Sequence, residues 1–250
     1  MKKIIALLMV AVMVFAICGC AKEDDSNKLV IGYTIYEPMN YMEDGKLTGF
    51  DTEFAEAVCE KLGLEPEFVE INWDTKFAIL DSDQIDCIWN GMTISPDVKK
   101  NCLVSKPYVK NAQVVVMAED MIEKYADAES MKDLKFTAEA GSAGEKAIKD
   151  NALDGNYVAT ATQQDALLAV KGGQADACVI DITMAKTMTA DGTSYSDFGY
   201  SVELTTEEYG IGFRTADVTL WNDVNASIDA LKADGTLDKL AEKYGLNLAL

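Results

Sequence analysis

The sequence predicts an α/β protein with mostly parallel sheets, divided into two similar halves. Three observations lead there. Short apolar runs of strand length alternate with amphipathic segments of helix length, an order that favours parallel strands joined by crossover helices. A local pattern of helix, polar turn, aspartate and apolar strand occurs twice, around Asp86-Cys87-Ile88 and around Asp176-Ala177-Cys178-Val179. The 250 residues are enough for one large domain or two medium ones with real cores.

Lys2 and Lys3 precede an unbroken apolar run at residues 4–17, as in a secretory signal, and the run is too short to span a bilayer comfortably. Ile17-Cys18-Gly19-Cys20 follows and resembles a lipobox, which implies cleavage before Cys20 and lipid attachment to its sulfur; the plainer alternative is a secretory peptide with an incidental cysteine. Residues 1–20 are thus the expected signal peptide. Residues 21–28, which include the polar stretch 22–27, are the expected leash of an anchored domain. Cleavage leaves 20 basic against 42 acidic side chains, a net charge near −22. Such acidity excludes nucleic acid as a partner and repels anionic headgroups, so the lipid rather than the protein surface should hold the molecule at the membrane.

Leu29, Val30 and Ile31 form the expected first strand, ended by Gly32, and a loop runs through Pro38 and Gly45. Phe54, Val58 and Leu62 share one face of a helix that opens on acids and stops at Gly63. Alternation predicts a second strand over residues 65–71. A short helix follows over 75–80, and a third strand over 85–89. Residues 113–117 form another strand, residues 121–132 read as polar and helical, and Phe136, Thr137 and Ala138 open a second β-α series. In the tail, Leu220, Val224, Ile228 and Leu231 lie on one helical face. Asp234-Gly235-Thr236 then breaks and caps a last helix through Tyr244.

Histidine is absent, which removes every Ser-His or Cys-His nucleophile. Cys59, Cys87, Cys102 and Cys178 lack metal-ligand spacing, so neither a metal nor a cofactor is expected. Cys59 and Cys178 lie in apolar segments and read as small buried hydrophobes; pairing in an exported protein is the alternative.

Several stretches, in this order and spacing over nearly the whole mature chain, resemble the polar amino acid class of bacterial extracellular solute-binding proteins. They are Gly49-Phe50-Asp51, Ile85-Asp86-Cys87-Ile88-Trp89-Asn90-Gly91-Met92-Thr93-Ile94-Ser95, Ser105-Lys106-Pro107-Tyr108, Ala175-Asp176-Ala177-Cys178-Val179-Ile180-Asp181, Tyr209-Gly210-Ile211-Gly212-Phe213 and Lys232-Ala233-Asp234-Gly235-Thr236-Leu237. The resemblance implies a two-lobe periplasmic-binding-protein type II fold with a two-strand hinge. Lobe 1 would comprise residues 29–111 and 209–250, and lobe 2 residues 112–208. The hinges would lie near residues 110–113 and 207–210. Ligands of open parallel sheets sit outside the C-terminal strand ends, so two facing sheets make a cleft that closure buries.

By the same resemblance Asp181 receives a ligand ammonium; capping of the following helix by a strand-end aspartate is the alternative. Tyr36 and Trp73 match aromatic positions that sandwich the ligand. Gly91 and Thr93 match positions of backbone and hydroxyl contact, and Asn90 adds an amide. Gly141-Ser142-Ala143-Gly144-Glu145 follows a strand and has capping-box spacing; its N–H groups around Ser142 and Ala143 suit a carboxylate, and a mere strand-to-helix turn explains the spacing as well. The family's carboxylate-clamping arginine falls on Val98, Lys99 is one place out of register, and Arg214 is the single arginine of the chain.

The expected function is the substrate-binding lipoprotein of an ABC importer, a monomer outside the cytoplasm that captures an amino acid or related amine and presents it to a membrane permease. Two rivals are a cyclohexadienyl or arogenate dehydratase-like enzyme on the same fold, with Glu139 as its acid, and a ligand-sensing module. The missing clamp, Glu139 and the aromatic pair favour a cationic or zwitterionic ligand.

Overall fold

The computed structural model describes residues 27–250; the expected signal peptide, Cys20 and most of the linker lie outside them. Strand β1 (Lys28–Tyr33) buries alternate side chains, and β2 (Tyr41–Glu43) and β3 (Lys46–Thr48) form a hairpin where a loop is expected. Asp44 and Gly45, both at positive φ, make the two-residue turn whose twist suits a hairpin. Helix α1 (Phe50–Leu62) has no side-chain cap at Gly49; Phe50 and Asp51 donate their N–H groups to the carbonyls of Pro38 and Met39, both at 2.9 Å. It ends in a left-handed turn at Gly63, followed by β4 (Glu65–Glu70). A 3₁₀ turn (Trp73–Thr75) leads into α2 (Lys76–Asp81), and β5 (Cys87–Thr93) runs on to α3 (Pro96–Asn101), which Ser95 caps by accepting from the Val98 N–H. Strands β6 (Leu103–Val104) and β7 (Val109–Asn111) close this segment.

The second series comprises β8 (Gln113–Ala118), β9 (Phe136–Glu139), α4 (Ala143–Asp150), β10 (Val158–Thr160), α5 (Gln163–Lys171), β11 (Ala177–Asp181), α6 (Ile182–Met188) and β12 (Phe198–Glu203). The chain then returns through β13 (Glu207–Phe213) and ends with α7 (Val218–Ala233) and α8 (Thr236–Tyr244). One sheet has the order β4-β1-β5-β13-β6, with β7 also on β13; the other has the order β10-β9-β11-β8-β12. Strands β1, β4 and β5 are mutually parallel, as are β9, β10 and β11, in keeping with the β-α alternation. Strands β13 and β8 pair antiparallel with their neighbours, so both sheets are mixed. Each of these two strands comes directly from the other sheet without a helix, which lets it enter in either direction.

The sequence repeat has a structural cause. Asp86 accepts from the Val30 N–H at 2.9 Å and returns its own N–H to the Val30 carbonyl at 2.7 Å. Asp176 does the same with Lys135, at 2.8 and 2.9 Å. In both halves an aspartate therefore sets the register between the incoming strand and the strand already laid down.

Residues 121–132 do not form the expected helix. Two short 3₁₀ turns, Glu119–Met121 and Glu129–Met131, stand there, separated by irregular chain. Asp127 accepts from the Ser130 N–H at 2.8 Å through its carboxylate and from the Ser130 hydroxyl at 2.7 Å through its carbonyl, a local arrangement that competes with helical bonding. Phe54 meets Trp89 edge-on at 4.9 Å between centroids, and Phe50 stacks on Tyr108 at 6.2 Å, which fixes α1 over the first sheet. Cys59, Cys87, Cys102 and Cys178 are free and buried. Arg214 lies outside the cleft lining, bonded to Asp86 at 2.9 Å and Asp217 at 2.6 Å. Among the described residues no helix is long and apolar enough to cross a membrane.

Gly49 (φ 118°) and Gly63 (φ 68°) make a controlled pair. A Cβ at Gly49 would stand 2.3 Å from the Met39 carbonyl oxygen, whereas nothing lies within 4 Å of one at Gly63. Gly63→Ala should cost about 1–2 kcal/mol from backbone strain alone, and Gly49→Ala about 3 kcal/mol or more. Urea denaturation of both variants checks the difference.

Candidate functional site

The chain passes from the first sheet to the second between Asn111 and Gln113, and returns between Glu203 and Glu207. Beside these two crossings a cavity of about 550 Å³, within the size range of small-ligand pockets, opens between the sheets. Its walls come from strand ends and the turns after them. The segment from Asn90 to Val98 lines one side, Glu139 with Gly141, Ser142 and Ala143 the other, and Asp181 and Glu207 its floor.

Asp181 occupies the N-cap position of α6 but makes no side-chain cap bond. Its carboxylate accepts instead from the amides of Asn111, Gln113 (2.6 Å) and Gln163, and its N–H donates to the Gln163 side-chain oxygen at 2.9 Å. Glu207 shares two of those donors. Its Oε1 accepts from Asn111 at 2.8 Å, Gln113 at 2.7 Å and the Thr93 hydroxyl at 2.7 Å, while Oε2 accepts from Thr205 at 3.1 Å. Two carboxylates from opposite sides of the crossing are thus bridged by the same pair of amides. Sequence reasoning took Glu207 only as hinge; its signal was strand periodicity, since Glu207 shares a face with the buried Tyr209 and Ile211.

Glu139 ends β9, is 3 % exposed, and leaves its Oε1 without a hydrogen-bond partner. Burial, with the Asp181 charge adding to it and Lys76 opposing, raises its carboxyl to about 8. Asp181 is also raised, by burial first and then by Glu207. Lys76, which sequence reasoning missed, begins α2 and lines the same cavity at 6 % exposure. Its ammonium donates to the Trp73 carbonyl at 3.0 Å and, across the cleft, to the Gly141 carbonyl at 2.9 Å. It lies 4.7 Å from the centroid of the Trp73 ring. At the rim, Lys146 pairs with Asp150 and Lys149 with Glu145, so those charges largely cancel. The interior holds three carboxyl groups, Glu139, Asp181 and Glu207, against one ammonium, Lys76, and burial holds Glu139 and Asp181 toward their neutral forms while the cleft is empty.

The remaining predicted residues divide. Trp73, Asn90, Gly91, Thr93, Glu139, Ser142, Ala143 and Asp181 border the cavity, and Tyr36 does not. Tyr36 packs edge-on against Tyr209 and shares hydrogen bonds with the Tyr209 and Thr183 hydroxyls, so it joins the lobes. The Asn90 amide is committed within its own lobe, accepting from the Thr34 hydroxyl at 2.7 Å and donating to Thr34 and Asn40 oxygens. Gly91, at φ 55°, donates its N–H to the buried carboxylate of Asp51 at 2.6 Å. A side chain there would meet the Tyr36 ring at 2.7 Å. Ser142 caps α4 by accepting from the Glu145 N–H at 3.1 Å, and Glu145 reaches back to the Gly141 N–H at 2.7 Å. The Ser142 N–H bonds the Glu139 carbonyl at 3.3 Å. The Gly141 and Ser142 N–H groups of the anion nest expected there are therefore engaged within the loop.

Residues 29–247 match the profile of the bacterial extracellular solute-binding proteins, family 3. The Arginine-binding extracellular protein ArtP of Bacillus subtilis is 28% identical to the chain, over 98% of each. The Probable histidine-binding protein of Campylobacter jejuni is 32% identical, over 84% of this chain and 82% of that protein. Among solved structures, an ancestral amino acid-binding protein described as a precursor of cyclohexadienyl dehydratase superposes with a TM-score of 0.81 at 30% identity, covering 88% of this chain and 96% of that one.

Asp51, raised to about 7 by burial against its bonds from Gly91 and Tyr108, joins Glu139 and Asp181 in a pH dependence of stability. In the unfolded chain these carboxyls ionise near pH 4; folded, they keep their protons to about 7–8, so between those limits the folded state binds more protons. The ligand-free protein should lose stability as pH rises from 5 to 8, by several degrees in Tm. Glu139→Gln should flatten the slope; thermal melts across that range check it.

Proposed function

Because the chain belongs to the bacterial extracellular solute-binding proteins, family 3, we propose that its interlobe cleft captures an amino acid with a cationic side chain, or a related amine, for an ABC importer. The observation that carries the reading is the balance of ionisable groups inside: three carboxyl groups, one with a bare buried oxygen, face a single ammonium, so an arriving cation can ionise what burial holds neutral. A ligand ammonium at Asp181 and Glu207 replaces amide contacts with charge-assisted bonds, each contributing roughly 1.5–3 kcal/mol. A second positive group meets Glu139. A dicarboxylate would instead place like charges against the floor, costing on the order of 4 kcal/mol for each pair at ~4 Å and an effective dielectric near 20.

The two crossings act as the hinge, with residues 29–111 and 209–250 moving against residues 112–208. A ligand touching both lobes stabilises the closed form, which docks on the permease. Binding and release suffice for this role. A dehydratase-like reading would use Glu139 as a proton donor; the curated relatives described above are binding proteins, which favours capture without chemistry.

Cys20 carries the lipid that holds the protein at the outer face of the membrane, a reading supported by the apolar run and the cysteine in processing order. Intact mass of protein extracted from membranes should show loss of residues 1–19 and gain of a lipid; soluble, unmodified protein in the producing cells would refute the anchor. For the cleft, a thermal-shift screen of amino acids, amines and dicarboxylates should show stabilisation by arginine, lysine or amines, growing to about 2.7 kcal/mol at a hundredfold excess over Kd. Asp181→Ala should weaken the best hit by about a hundredfold or more. A loss below about tenfold by calorimetry, or stabilisation by glutamate or aspartate alone, would count against the assignment.

A further inference from the structure

We propose that Lys76 is the residue that holds the carboxylate of the bound amino acid. The proposal rests on the cleft being an amino-acid site. Lys76 is the single cationic side chain buried in the lining, and its ammonium meets two carbonyl oxygens and no ion-paired carboxylate among the described residues. An ammonium taken out of water with no carboxylate bonded to it is unfavourable, and the nearby Glu139 charge offsets that only in part, so the empty cleft leaves a demand that an arriving carboxylate fills. One of its three donors remains for that carboxylate when the two carbonyl bonds persist.

The surroundings fix where that carboxylate sits. The Trp73 and Phe77 rings lie 4.7 and 5.1 Å from the Lys76 nitrogen, holding the side chain against the first lobe's wall. Val98, from α3, lines the same cavity and belongs to the same apolar cluster as Trp73. The cation enters from α2 instead. Across the cleft, the N–H groups of Gly141 and Ser142 are bonded within their loop, which removes two of the alternative anion donors. Lys76 from the first lobe, Glu139 from the second, and Asp181 with Glu207 at the crossing then line one cavity, with Lys76 and Glu139 within electrostatic reach of each other. An α-amino acid with a cationic side chain complements all three, with its carboxylate on Lys76 and its ammonium on the floor.

This arrangement separates two jobs that a simple latch would not. If Lys76 only bridged the lobes through Gly141, its removal would weaken every ligand alike. As the carboxylate holder it matters for an amino acid and not for the amine left when the carboxylate is removed. Calorimetry should therefore compare, in wild type and variants, the amino acid that binds most tightly in the screen with its decarboxylated amine, L-arginine with agmatine or L-lysine with cadaverine. Lys76→Gln keeps donors for both carbonyls and removes the charge; Lys76→Met removes both. Each should weaken the amino acid by on the order of 10- to 100-fold and leave the amine within about threefold, while Lys76→Arg should stay within about tenfold of wild type for both. Equal weakening of amino acid and amine, or an unchanged amino acid affinity, would overturn the role of Lys76 and leave the cleft assignment standing. Absence of any amino acid binding to wild type would overturn the assignment itself and the proposal with it.

Discussion

The structure depends on the bridging of Asp181 and Glu207 by the amides of Asn111 and Gln113. All four residues lie where the chain crosses between its two sheets: Asn111 and Gln113 flank the outward crossing, Glu207 opens the returning strand, and Asp181 ends the second lobe's central strand. Asp181 is buried and Glu207 half-buried, and two such carboxylates repel each other more strongly than they would in water. The amides offset it only while the crossings hold this geometry. The placement of the lobes and the electrostatic state of the floor are consequently one variable.

The cleft follows from topology. In each sheet the parallel strands aim their C-terminal ends at the cavity, and the turns that follow those ends carry the polar groups that line it. Gly91 illustrates how little freedom this leaves. Its N–H is fixed by Asp51 from α1, and the space for a side chain is filled by the Tyr36 and Tyr209 rings. The N-terminal turn of α1, held by the carbonyls of Pro38 and Met39, thus sets the position of a cleft residue through one buried carboxylate.

Much of this was legible in the chain because it is local. The β-α alternation, the α1 end at Gly63, the Ser142 cap and the strand-end position of Asp181 all rest on signals within a few residues. The parts that were not legible depend on distant partners. Lys76 is a cleft residue because of a carbonyl 65 positions away, and Glu207 because of amides 94 and 96 positions away. Asn90 reads as an available amide until Thr34 and Asn40, 56 and 50 positions away, claim it. Tyr36, an aromatic on a loop, could be assigned to ligand or to packing only once Thr183, 147 positions away, was placed beside it. The segment 121–132 failed for a local reason: Asp127 and Ser130 close a turn that helical composition hides.

If the ligand is a cation, as proposed, the same groups that receive it also make closure conditional on it. In the empty closed form the interior must keep Glu139 and Asp181 toward their protonated forms, or bear the repulsion, while Lys76 is bonded to carbonyls and to no carboxylate. Each of these is a free-energy penalty on closing without a ligand, and each disappears when a cationic amino acid supplies two positive groups and one negative. A ligand shifts an equilibrium only by its differential affinity for the two states, and here the differential is built from groups that are solvated when open and unpaired when shut. Lobe closure then reports occupancy, which is what a membrane partner needs to distinguish a loaded protein from an empty one.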